Sequence, residues 1–131
     1  MHPKQAKLEE KLQRLCDELD SYLEDRYGKL YPLHPNRLPR GKAASGIYDG
    51  LFSTGTMFTL GYGSVYGRGY IIDVEIRTLR KVDPEDRDRI DADAMDFLEK
   101  QLKKVFPKRD LSIVKDGSVY KLIGDFSLGE V

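Results

Sequence analysis

The chain is poor in the residues that would give its function away. It has one cysteine, Cys16, in 131 residues. That excludes an internal disulfide, and with only His2 and His34 beside it no ordinary structural zinc site can be assembled. There is no run near the ~18 apolar residues that a membrane span requires, so no membrane partner is expected. The first residues lead into a charged amphipathic segment and lack the apolar core of a signal peptide. Together these absences lead us to expect a cytoplasmic chain. Excess charge is missing too: 22 Lys and Arg stand against 22 Asp and Glu, which removes a domain-wide basic excess as an argument for nucleic acid. The length suits one domain, taken as residues 1–131, with enough surface to bury for a core that needs no staple.

What is present is a strong alternation of helical and strand patterns. Leu8, Leu12, Leu15, Leu19, Leu23 and Tyr27 recur at spacings of four and three, predicting a helix over 4–27 with one apolar face. Cys16 lies beside that stripe and reads as a core thiol. Gly28 stands where a left-handed C-terminal cap belongs. The helix is charged against its macrodipole, with Lys4, Lys7 and Lys11 early and Asp17, Glu18, Asp20, Glu24 and Asp25 late. This is either tolerance on a solvated surface or an acidic patch awaiting a basic one, such as the loop that follows. A short strand is expected over 47–52, a better one over 54–60, and a Gly-rich turn over 61–69. The clearest strand covers 70–79, with Tyr70, Ile72, Val74 and Ile76 facing the core. Asp83, Pro84, Glu85 and Asp86 form a complete helix start, and Ile90, Ala94, Phe97, Leu98, Leu102 and Val105 form the next apolar stripe, ended by Pro107. Two strands, 111–115 and 119–124, joined at Asp116-Gly117, complete the chain as a hairpin. The expected class is α+β: a mainly antiparallel sheet of four to five strands with two main helices on one face, in the order α-β-β(-β)-α-β-β.

The most distinctive segment is 29–46, where Pro32, Pro35 and Pro39 stiffen the backbone. By segment it is the only clearly positive stretch, since residues 28–50 hold Lys29, Arg37, Arg40 and Lys42 against Asp49. Arg side chains on a stiff backbone suit an anion, because their planar forks match phosphate or carboxylate and little entropy is lost on ordering. His34, Arg37, Arg40 and Lys42 are therefore candidate ligand contacts, to be weighed against internal pairing with the acidic end of the first helix. Tyr66 and Arg68, with Tyr62 and Tyr70 nearby, offer a stacking surface on the Gly-rich turn.

Two phosphate-loop readings fail. The turn Gly61-Tyr62-Gly63-Ser64-Val65-Tyr66 is followed by a strand where a dinucleotide site needs a helix, and Tyr66 replaces the third glycine of a kinase loop. Gly41-Lys42 is no Walker A motif, since Asn36 and Ala43 occupy two of its defining positions. His34 alone supports no catalytic arrangement. Asp73 and Glu75 share a strand face about 7 Å apart and could hold a divalent metal with Asp49 upstream. With Arg77 following, this pattern resembles restriction-endonuclease-like nucleases, which place an upstream acid before E-x-K within an α-β-β-β-α-β core. The resemblance implies metal-dependent phosphodiester cleavage, but Arg77 stands where that family has Lys. Helix order and size also resemble type III secretion chaperones, which end in a further helix; residues 126–131 are too short for one. The unpaired sheet edges can support a homodimer. The leading expectation is a small non-catalytic binding module, without a cofactor. Its partner is anionic: nucleic acid, a phosphorylated ligand or an acidic protein surface. The metal-dependent nuclease and a self-associating adaptor are the alternatives.

Overall fold

A computed structural model describes residues 3–42 and 49–124. The chain runs α1 (Pro3–Tyr27), β1 (Phe52–Thr59), β2 (Gly69–Ile76), α2 (Pro84–Val105), β3 (Leu111–Asp116) and β4 (Val119–Gly124). The four strands form one antiparallel sheet in the order β1-β2-β4-β3. This is the α+β class and element order expected from sequence. Of the strand anticipated over 47–52, residues 47 and 48 lie outside the described residues; Asp49 makes only an isolated bridge, no strand forms before Phe52, and β1 begins there and merges with the expected 54–60 segment, ending at Thr59.

Both helices form because each can bury one stripe on the same face of the sheet. Leu8, Leu12, Leu15, Leu19 and Leu23 of α1 are buried, as are Ile90, Ala94, Met95, Leu98 and Leu102 of α2, together with Phe52, Tyr70, Ile72, Val74 and Leu122 from the strands. Each such aliphatic side chain contributes about 1.5–3 kcal/mol. Helix α1 lies over β1, while α2 lies toward β3. The two helices are antiparallel, since Lys11 sits over Phe106, Tyr22 stacks on Phe97 and Tyr27 donates to Asp93. The Asp83 carboxylate caps α2 by accepting from the Glu85 N–H at 3.0 Å.

Two local expectations need correction. Gly28 does not adopt the left-handed conformation. Its requirement is steric: its N–H reaches the Glu24 carbonyl at 2.9 Å, and an added Cβ would lie 2.4 Å from that oxygen. In the last hairpin Asp116 pairs with Val119, so the two loop residues are Gly117 and Ser118 and not Asp116-Gly117. Gly117, at φ +65, supplies the conformation that such a turn demands. Tyr70 belongs to the core alone: it is buried and its hydroxyl donates to Glu9 at 2.9 Å, which removes it from the expected stacking surface.

Asp20 is a carboxylate in this core, 5% exposed, and accepts a 2.7 Å hydrogen bond from the Thr54 hydroxyl. Burial pushes its pKa from 3.8 up to about 6, against the opposing effect of the Thr54 hydrogen bonds. Between those values the folded chain holds a proton that the unfolded chain has released. Stability from this group is therefore greatest at low pH, declines as pH rises through the window, and is level above about 6. Asp20→Asn should remove that decline. Urea unfolding at pH 4.5 and 7 should show the variant gaining about 2 kcal/mol on the wild type between the two. Parallel pH profiles would refute the assignment.

Candidate functional site

The Pro-rich segment crosses the end of the sheet where β1 begins and β2 ends. The His34 N–H donates to the Arg77 carbonyl at 2.8 Å, and Leu38 forms an isolated parallel bridge with Asp49. Arg37 turns inward: its Nε donates to the Gly50 carbonyl at 3.1 Å and its Nη2 to that of Asp49 at 2.6 Å. Burial, followed by the nearby Arg77, lowers its pKa. Arg40 reaches Ser21 on α1, beside a hollow lined by Asp17, Asp20 and Ser21. The acidic end of α1 thus meets the basic loop, and the reversed charge order of that helix acquires a structural reason. Lys42 and the Arg40 stem are exposed, and His34 Nδ1 accepts the Asn36 N–H at 3.0 Å within a local turn. Among the described residues, the loop's charged groups are not gathered around one anion-sized space, and the hollow beside Arg40 is lined by the Asp17 and Asp20 carboxylates.

The three carboxylates considered for a metal do not converge. Asp49 is buried and its Oδ2 accepts the Gly41 N–H at 2.9 Å. Asp73 is exposed on the outer sheet face, and Glu75 pairs with Arg77 at 2.7 Å. Among the described residues, no three His, Cys, Asp or Glu side chains are grouped to hold a metal ion. Among the described residues, two strands lie between the helices where the nuclease core has three.

The Gly-rich turn between β1 and β2 is a built loop. It folds over the outer sheet face and is fastened there by Lys121 of β4, which is 2% exposed. The ammonium has three N–H groups and finds three acceptors: the Gly67 carbonyl at 2.5 Å, Asp116 Oδ2 at 3.0 Å and Ser64 Oγ at 3.3 Å. Ser64 in turn donates to Asp116 at 2.5 Å, and these bonds hold the Asp116 pKa low, with Ser64 first. A Ser–Lys pair invites comparison with a nucleophile and its base, but Ser64 gives its hydroxyl hydrogen to Asp116 while Lys121 donates to Ser64, so the serine proton is not aimed at the lysine. The cluster is a clamp. Gly61 (φ +72) permits it, because an added Cβ would lie 1.9 Å from the Gly67 carbonyl oxygen. The clamp presents Tyr62 and Val65 almost wholly to solvent, at 91% and 93%, with Tyr66 and Arg68 also exposed. Sequence reasoning missed Lys121, since an alternating strand position gives no hint that a loop will cover it.

A second feature was hidden by reading charge along the chain. Each helix has one basic and one acidic half, and antiparallel packing brings like halves together. Residues 5–14 and 97–109 carry eight basic and three acidic side chains; residues 15–27 and 84–96 carry three basic and eleven acidic. At the basic end, two adjoining hollows of about 160 and 200 Å³ share Lys11. Lys7, Leu8, Phe106 and Arg109 line the first; Arg14, Leu15, Glu18 and Val105 line the second. Lys11 holds its ammonium 5.5 Å from the Phe106 ring centre.

These features define a two-layer α+β protein with a clamped apolar loop and a polarised helical layer. The chain belongs to a protein family whose model, described as an uncharacterised protein, matches residues 3–124. A protein of Borreliella burgdorferi, also described as uncharacterized, is 51% identical over 112 residues, covering 86% of this chain and 88% of its own. No solved structure matches. No helix among the described residues is long and apolar enough to cross a membrane.

Lys121→Ala should leave Asp116, Ser64 and the Gly67 carbonyl without their buried cation and destabilise the fold by about 3 kcal/mol. Hydrogen exchange should quicken over 61–67 while the α1 and α2 amides stay protected. Unchanged exchange in the loop would show that the clamp does not hold it.

Proposed function

We propose that this protein is a non-catalytic binding module that takes an anionic partner at the basic end of its helical layer. The observation that carries this reading is the meeting of Lys7, Lys11, Arg14 and Arg109 around two adjoining hollows, in a chain whose overall charge is zero. The lining is basic on balance, four cations against Glu18, with Arg14 also beside Glu10, and a mainly basic cleft attracts counter-charge even when the whole protein is neutral. Along α1 the spacing from Lys7 to Lys11 to Arg14 places successive cations about 5–6 Å apart. That favours an extended polyanion such as a nucleic-acid backbone. Phe106 is buried beneath Lys11, so contact at this end is electrostatic without base stacking.

The basic Pro-rich loop, expected from sequence to make this contact through His34, Arg37, Arg40 and Lys42, serves better as the brace of the acidic end. Its arginines meet backbone carbonyls and the acid-lined side of α1. The buried Cys16 thiol, pushed up to about 12 by burial and then by Asp20 and Asp17, is inert. Its presence as a single thiol fits a cytoplasmic location.

Fluorescence anisotropy with a labelled single-stranded oligonucleotide, repeated across salt concentrations, tests this reading. Lys7→Glu with Lys11→Glu should weaken binding about tenfold or more and flatten the salt dependence. Arg40→Ala with Lys42→Ala should leave both nearly unchanged. Equal loss in the two double variants, or no wild-type binding at low salt, would overturn the basic-end assignment.

A further inference from the structure

The two edges of the sheet are treated differently. On β3, the Ile113 N–H is taken by the Glu99 carboxylate of α2 at 3.2 Å, and Lys115 and Asp116 add charge. On β1, the ladder fixes which backbone groups face outward. The Arg77 N–H donates to the Leu51 carbonyl at 2.6 Å, so odd-numbered residues of this stretch bond toward β2 and even-numbered ones toward the open side. Of the even-numbered residues after the buried Phe52, Thr54 is covered by Asp20, which accepts from its backbone as well as its hydroxyl. Thr56 and Phe58 follow, and among the described residues nothing covers their outward N–H and C=O groups.

Around that gap the surface is apolar. Met57 is 67% exposed and Phe58 41%, and Leu60 beside them is also exposed. Residues 51–67 contain no charged side chain, in a chain that is 34% charged. Edge strands that must stay single are ordinarily guarded by lysine, proline or a bulge; this one has none of these.

We propose that the open half of β1 pairs antiparallel with the same segment of a second copy of this chain. A sheet with one blocked and one open edge has a closed solution in a two-fold pair, because the two open edges consume each other. The alternation of faces requires even residues to meet even ones if both helical layers lie on one side. With Asp20 excluding Thr54, the register that uses both open residues sets Thr56 against Phe58 of the second copy, and the reverse. Each such pair exchanges both its hydrogen bonds. The two-fold axis then passes at Met57, whose side chains face one another on the outer sheet surface. A charge-free segment tolerates its own image there. This inference is independent of the basic-end reading.

Sedimentation equilibrium at about 100 μM should give the wild type twice the 15.0 kDa chain mass. Met57→Lys and Met57→Glu each place like charges across the axis, and each should sediment at the single-chain mass with unchanged circular dichroism. An equimolar mixture of the two should recover the doubled mass. A wild type that stays single would overturn the proposal and leave this edge to an extended segment of a different protein. A dimer that survives both substitutions, or variants that fail to recover on mixing, would overturn it as well.

Discussion

Everything else in this molecule follows from the antiparallel burial of two apolar helical stripes on one face of a four-stranded sheet. The stripes decide which helix faces turn inward, and the antiparallel sense decides which ends meet. Leu8 to Leu23 on α1 and Ile90 to Leu102 on α2 exclude water along a shared seam. The charged faces on either side of that seam have no freedom to rearrange. A chain of zero net charge thereby becomes positive at one end of its helical layer and negative at the other. The Pro-rich segment then finds its place by charge and backbone bonding together, with Arg40 beside Asp17 and Asp20 and with Arg37 on the carbonyls that precede β1.

Two buried charged side chains, Lys121 and Asp20, solve opposite problems. Lys121 meets an acceptor for each of its three donors, one of them a carboxylate, so its charge is compensated where it stands. Asp20 has hydrogen-bond donors from Thr54 and a more distant Arg40, and desolvation outweighs them in raising its pKa. The first group holds a loop in a fixed shape at little electrostatic cost. The second makes part of the core sensitive to protonation. Lys121 is covered by the loop it fastens, and Asp20 borders only the acid-walled hollow beside Arg40, so these buried ionisable groups read as structure and the basic surface carries the functional argument.

Local patterns in the sequence carried the fold well. The leucine spacing of α1, the Asp83-Pro84 start of α2 and the alternation in β2 are each decided by neighbours within a few residues, and each is found, although β2 ends at Ile76 and not at Leu79. Gly28 was misread because close approach to Glu24 and a positive φ both call for glycine, and the sequence cannot separate them. The site was harder to see. The positive charge of residues 28–50 suggested a ligand loop, whereas the folded chain places acidic residues of α1 against it. The basic end is split between segments some ninety residues apart, so no window along the chain contains it. Lys121 lies near Ser64 only because β4 is inserted beside β2.

The helices also decide how the sheet ends. Asp20 accepts from Thr54 on β1 and Glu99 from Ile113 on β3, while Glu24 accepts the Leu51 N–H at 2.9 Å at the head of β1, on the side facing β2. Carboxylates from the helical layer thus reach over the backbone of both outer strands, replacing the missing strand with a side-chain acceptor. Such a cap satisfies an N–H and also places a negative charge where another chain would have to dock. Helix α1 runs opposite to β1, with Glu24 near its start, Asp20 at Thr54, and Glu9 turned across to the Tyr70 hydroxyl opposite Phe58. Glu9 is therefore committed to the neighbouring strand, and the next acid toward the C-terminus, Glu10, faces solvent near Arg14. The reach of the helix fails at Thr56 and Phe58 because of that choice of partner. An edge left bare by the placement of two adjacent glutamates, within the chain's longest charge-free segment, is specified by the sequence as firmly as the edges that are closed.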